Sequence, residues 1–220
     1  MARAPLSRQR VIEAAAEVAD AGGLAAVSMR GVGKRLSVEA MSLYHHVAGK
    51  ENLLDGLADW VFSQIELPAH EQGWRDGMLR RARSARAVLA AHPWALGLIE
   101  SRGTPGPALL RHHDEVIGCL RRGGFDLMLA SHAFSALDAY IYGFVLTEQT
   151  LPFDPSQADN AGDFARQFEP ALADYPNLAA LVAELTTGRD YVFSDEFEDG
   201  LGMILDQLEQ RLAAAASAGG

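Results

Sequence analysis

Apolar positions recur along this chain at the spacing of helices, and no stretch shows the strict alternation of a strand. Val11, Ala15 and Val18 stand at i, i+4 and i+7, which puts them on one face of a helix. Gly22 follows and suits a left-handed stop, so the first helix is expected over 7–21. Ser28 offers a capping hydroxyl to a short second helix over 28–36. Ser37 offers another to a third, ending near 46 or 47, with Glu39 favourable in its first turn. A fourth helix is expected from 49 to 66, before Pro68. Longer ones follow over 74–91, 94–101, 107–122, 126–150, 163–185 and 195–212, with Pro170 and Pro176 as candidate breaks in the fifth of these. The alanine-rich tail over 213–220 is expected to fray. No alternating run is bounded by Asn-Gly or Asp-Gly, so hairpins are not expected and the chain reads as all-α.

Composition narrows the class. Of 220 residues, 49% are apolar and 22% charged, the mixture of a globular protein. A single cysteine, Cys119, excludes an internal disulfide framework and a Cys-based zinc module; mid-helix, it reads as a small core residue. The first residues lack the uninterrupted apolar stretch of a secretory signal. The most apolar segment, near 127–146, carries Ser131, His132, Asp138 and Tyr140, so no membrane span is expected and the cytoplasm is the default. The net charge of −10 argues against a nucleic-acid partner when taken over the whole chain. Its distribution argues otherwise. Residues 1–52 hold seven Lys/Arg against five Asp/Glu, including both lysines of the chain, and the acidic excess lies entirely beyond them. A weakly basic head on an acidic body is the asymmetry expected if the head alone meets phosphate.

Two short helices joined by a turn at Leu36-Ser37-Val38 make a helix-turn-helix. In the second of the pair, Ala40, Leu43 and Val47 share a face that can pack on its neighbours. Met41, Ser42 and His45 point the other way, with Tyr44 at the flank. A hydroxyl, an imidazole and a thioether on an outward face can reach base edges and thymine methyls in a major groove, and Tyr44 can reach a phosphate. His45 and His46 do not form a metal pair, because helix neighbours diverge by about 100°.

The strings from Ser28 to Val38 and from Ser42 to Leu54 resemble the TetR family of transcriptional repressors, above all Leu43-Tyr44-His45-His46-Val47 followed by Lys50 and Leu53-Leu54. The likeness is strong over residues 6–66. It continues more weakly through Trp74 to His92-Pro93, Arg121 to Phe125, Gly143 to Gln149 and Phe197 to Glu209, which are similar to the tetracycline-repressor type of C-terminal domain. The resemblance implies a helix-turn-helix DNA-binding domain over 1–49, a connecting helix over 50–66, and a helical ligand-binding and dimerisation domain over 67–220. It implies DNA contacts by Ser28, Arg30, Ala40, Met41, Ser42, Tyr44, His45, His46 and Lys50, the last at a helix N-terminus where amides and charge meet one phosphate. Ser37 departs from the glycine usual in the family's turn, so a slightly altered turn is expected. Ala40 and Met41 cannot form the bidentate amide-to-adenine bond of a glutamine, so the operator should differ from the tetracycline one.

In the acidic body, the segments over 126–150 and 195–212 combine large apolar residues with Ala130, Ala133, Ala136, Ala139, Gly143, Gly200 and Gly202. Each interior glycine costs about 1 kcal/mol against alanine, and close helix contact would offset that. Two such helices from each of two chains would make a four-helix interface, the homodimer the resemblance implies; a monomer with both helices in its core is the alternative. Arg81 shares a face with Ala85 and Val88, and Asp138 with Phe134 and Ile141. A charge on an apolar face needs a partner, so an internal Arg81–Asp138 pair or a charged ligand is expected. The resemblance adds Glu66, Ile99, Arg102, His113, Val116, Phe134 and Thr147 as pocket positions. Ile99 and Thr147 stand where the tetracycline repressor has metal-side groups, which disfavours magnesium–tetracycline and favours a bulky, largely apolar effector with one polar handle. His112, His113 and Asp114 diverge on their helix and read as satisfied or surface groups. No nucleophile elbow or phosphate loop is present, so neither an enzyme nor a cofactor is expected. The expected function is a ligand-responsive regulator, a repressor released from a palindromic operator. A helical ligand-binding protein without DNA function, or an activator on the same fold, is the alternative.

Overall fold

The computed structural model describes residues 5–71, 73–157, 160–186 and 191–218. Every regular element among them is helical: α1 (Arg8–Ala26), α2 (Met29–Leu36), α3 (Ala40–Leu43), α4 (Lys50–Gln64), α5 (Trp74–Ala91), α6 (Ala95–Ser101), α7 (Pro107–Arg122), α8 (Leu127–Thr150), α9 (Asn160–Arg166), α10 (Pro176–Thr186) and α11 (Glu196–Ala218). Short 3-10 turns lie at Glu169–Asp174 and Phe193–Asp195. The chain divides between Tyr142 and Gly143 into two compact units, so α8 contributes to both.

In the first unit, α1 packs on α2 and α4, α2 on α3, and α4 on α5, α6 and α7. Val11, Ile12, Ala15 and Ala19 of α1 are buried, as are Val32, Leu43 and Val47 of the helix-turn-helix. Ser7 and Ser28 cap α1 and α2, their hydroxyl oxygens accepting from the amides of Arg10 at 3.3 Å and Gly31 at 3.0 Å. The left-handed residue near the end of α1 is Gly23, with φ 70°, not Gly22, and it kinks the helix, which continues to Ala26. Ser37 does not open α3. It ends α2 in the left-handed conformation, φ 52° and ψ 48°, with Val38 N–H bonded to the Gly33 carbonyl at 2.9 Å. The serine thus stands in the left-handed region that glycine adopts most readily. Because serine holds a positive φ at some cost, Ser37→Gly is expected to raise stability by about 0.5–1 kcal/mol, read as a shift in urea midpoint. A methyl at Gly33 would lie 2.9 Å from the Val38 carbonyl oxygen, so this glycine lets the turn fold tightly onto α2.

Regular α3 is shorter than its predicted span. Its winding loosens after Leu43 into bonds from His46 and Val47 to the Leu43 carbonyl. The region predicted as one helix over 163–185 is broken at both prolines, Pro170 entering a 3-10 turn and Pro176 opening α10. The C-terminal helix does not stop at 212 but runs to Ala218, as its alanines favour. In the second unit, Phe144 stacks on Phe193 at 5.3 Å and meets Phe197 edge-on at 5.2 Å, while Ser194 donates to Glu148 at 2.9 Å. α8 is long and apolar enough to cross a membrane, which the segment's polar residues had argued against. Asp138 within it is nevertheless ion-paired with Arg81, as in a core helix.

Candidate nucleic-acid interface and effector site

The helix-turn-helix sorts its side chains as the pattern required. Leu43 and Val47 are fully buried, whereas Met41 is 73% and Tyr44 48% exposed. His45, Arg30 and Lys50 are exposed, and Ala40, Ser42 and His46 are half-buried beside them. An exposed methionine on a short helix anchored by two buried aliphatics gains nothing from its own fold. Ser28 is half-buried and its oxygen already caps α2. Lys50 is the first residue of α4, after Gly49 at φ 142°, a conformation that favours glycine. Lys50 thus stands beside free backbone amides, a geometry that accepts phosphate.

α4 runs from this surface into the body of the first unit. Near its start, Glu51 accepts from Arg102 at 2.9 and 3.0 Å, with Asp55 also 3.4 Å from that guanidinium. Midway, the Asp59 carboxylate caps α7 by accepting from the amides of Ala108 and Leu109 at 2.8 and 3.0 Å. Towards its end, Phe62 lies 5.4 Å from the His112 ring and 6.3 Å from that of His113. α1 is tied in separately: Asp20 lies 2.7 Å from His92 Nδ1 and accepts from the Trp94 indole, also at 2.7 Å.

The pocket positions fall into two groups. Arg81, His113, Phe134 and Asp138 come together, with Ala85 and Val116 buried on the same helices, α5 and α7. Arg81 is fully buried. Its Nη2 pairs with Asp138, its Nε donates to His112 Nε2 at 3.2 Å, and its carbon centre lies 5.7 Å over the Phe134 ring. The expected internal pair is therefore formed. Glu66 is instead exposed, 3.6 Å from Arg80, and Arg102 is engaged by α4. Thr147 is exposed, its hydroxyl donating to the Gly143 carbonyl, and Ile99 is half-buried on α6. His112, which the sequence leaves as either a satisfied or a surface group, is satisfied by Arg81 and belongs to this cluster. It is fully buried at the centre of the cluster, and its spacing from Val116 and Cys119, i, i+4 and i+7, was the available signal.

Burial holds the His112 imidazole far below its ordinary range, down to about 3, helped by the neighbouring Arg81 and His113 charges. His113 is lowered too, chiefly by burial, with Asp138 pulling the other way. Burial and Asp138 raise the Tyr142 phenol. A histidine whose folded form resists protonation leaves stability unchanged above its unfolded value, near 6.5. As the pH falls below that value, the unfolded chain takes up the proton first and stability is lost. Stability is expected to fall from about pH 6.5 towards 3, at up to about 1.4 kcal/mol per pH unit for His112. Urea midpoints across that range check this, and His112→Phe should flatten the slope.

Residues 11–57 match the family described as bacterial regulatory proteins, tetR family, and residues 67–212 match the tetracyclin repressor-like C-terminal domain. The chain belongs to the TetR family and is a DNA-binding transcriptional regulator. It is 35% identical to the transcriptional repressor DrrR1 of Streptomyces coeruleorubidus over 94% of this chain and 79% of that one. It is 29% identical to the class A tetracycline repressor from Escherichia coli over 94% and 92% of the two chains. The crystal structure of Streptomyces coelicolor ActR in complex with actinorhodin superposes with a TM-score of 0.75, at 29% identity, covering 94% of this chain and 96% of that one.

Proposed function

We propose that the protein is a homodimeric repressor that holds a palindromic operator through two copies of α3 and lets go when a small molecule enters the first unit. The observation that carries this reading is the path of α4. One helix bears Lys50 at the DNA end, anchors α7 through Asp59, and touches His112 and His113 through Phe62. A compound that displaces the Arg81 cluster acts on α4, and so on the position of the recognition surface. By linkage, operator and effector weaken each other equally, with a coupling of about 1–3 kcal/mol or more. The repressor role of DrrR1 and the ligand held by ActR support the same assignment.

The dimer reading rests on α8 and α11. Met128 and Leu146 of α8 and Met203 of α11 are exposed, and a side chain at Gly143 or Gly202 would meet nothing within 4 Å in the single chain. A second copy laid on these faces would use the close approach that the glycines permit and would set the two α3 helices at half-sites roughly 34–36 Å apart. The division of labour follows the sequence: DNA binding over 1–49, connection over 50–66, effector binding and dimerisation over 67–220. The protein acts by binding rather than turnover, on chromosomal DNA in the cytoplasm. Footprinting of the DNA upstream of its own and neighbouring genes tests the reading. A twofold-symmetric protected site is expected, cleared by a compound that stabilises the protein. Protection without symmetry, or occupancy unchanged by every stabilising compound, contradicts it.

A further inference from the structure

We propose that the Arg81–His112 cluster selects an uncharged aromatic effector bearing a carbonyl oxygen, a deepening of the effector role just proposed that rests on it. The argument begins with a tautomer. An arginine Nε–H only donates, so His112 must accept from it at Nε2, 3.2 Å away. A neutral imidazole that accepts at Nε2 carries its hydrogen on Nδ1. Two polar atoms of the cluster are buried without a hydrogen-bond partner among the described residues, Arg81 Nη1 and His112 Nδ1. Both are therefore donors, on side chains that are 1% and 0% exposed. Leaving such donors unmet is costly, and only a group with lone pairs relieves them.

Charge narrows the class. Asp138 already neutralises Arg81. A cation would face the guanidinium and find no spare acceptor in the two donors, and an anion would be brought up beside the Asp138 carboxylate. An uncharged carbonyl meets neither penalty. The surroundings supply the rest of the match. Phe134 lies 4.8 Å edge-on from His113 and beneath the guanidinium, and Phe62 flanks both histidines. Such rings favour an aromatic partner through edge-to-face and offset contacts.

The test compares compounds of one shape. The intact protein is titrated with fluorenone, fluorene, fluorenecarboxylate and aminofluorene, and with the smaller pair tetralone and tetralin, by calorimetry and thermal shift. Each ketone is expected to bind about tenfold or more tightly than its parent hydrocarbon, the carboxylate and amine no better than fluorene. Arg81→Lys keeps a charge opposite Asp138 and His112→Phe keeps a ring; in either, if circular dichroism shows a folded protein, the ketone preference should fall below about threefold. A hydrocarbon that equals its ketone, a charged analogue that binds best, a preference that survives in both folded variants, or no binding by any ketone (the donors serving an ordered water only) overturns the proposal. Operator binding without added compound is measured in parallel. Its absence would sink the repressor reading while leaving the ranking of ligands to stand or fall alone.

Discussion

Replacing Arg81 with Met should cost about 3–5 kcal/mol of folding stability, a large share of what holds a typical domain together. The side chain is 1% exposed, and its removal leaves Asp138, itself only 13% exposed, as an unpaired carboxylate, and His112 without the donor at its Nε2. The loss comes from what is stranded, not from the worth of the ion pair. Arg81→Met combined with Asp138→Leu should therefore recover most of the stability in urea denaturation, because a buried pair replaced by apolar groups of similar volume is often neutral or better. If the single replacement is as stable as the parent, the pair is not buried as described. If the double replacement is no better than the single, the cost lies in lost packing around Phe134. The double variant should also respond more weakly to effector, since one of the two unmet donors of the cluster, Arg81 Nη1, is gone while His112 remains.

On the DNA side, Lys50→Ala and Tyr44→Ala should each weaken operator binding about tenfold, close to 1.4 kcal/mol, and by similar factors on unrelated sequences. Both side chains are exposed, so folding stability should move by no more than about 0.5 kcal/mol. Met41 should behave differently. Its side chain is 73% exposed on the outward face of α3, where a contact to base edges changes which operator is preferred rather than how tightly DNA in general is held. Competition binding with single-base operator variants separates the two. A Met41→Ala protein whose base preferences match the parent's would remove that residue from the reading face.

The sequence announced most of this arrangement where a single local cause decides it. Ser28 with its hydroxyl cap, the Leu43/Val47 inward face and the breaks at Pro170 and Pro176 each depend on one residue and its near neighbours. Ser37 misled because serine is a good cap at a helix start; the neighbouring turn, closed by the Val38 bond to Gly33, overrode that preference and put it at a helix end. Gly22 and Gly23 are equivalent by propensity, and nothing local chooses between them. The polar cluster is only half legible. Arg81 and Asp138 stand out as charges on apolar faces, whereas the divergence of helix neighbours leaves His112 as either a satisfied or a surface group, and only the fold shows that it is satisfied, by Arg81. The anchors of α4, Asp59 on α7 and Glu51 with Asp55 on Arg102, lie about fifty residues from their partners in the chain, beyond the reach of periodicity.

The most direct test of the account is the salt dependence of operator binding by the intact protein, set beside that of Lys50→Ala. Phosphate contacts made by the basic head release counterions, so affinity should fall steeply and log-linearly with salt, and the slope should shrink by about one unit when Lys50 is removed. A slope near zero, or one that Lys50→Ala leaves unchanged, would mean that the Met41, Tyr44 and Lys50 surface is not where this protein meets DNA.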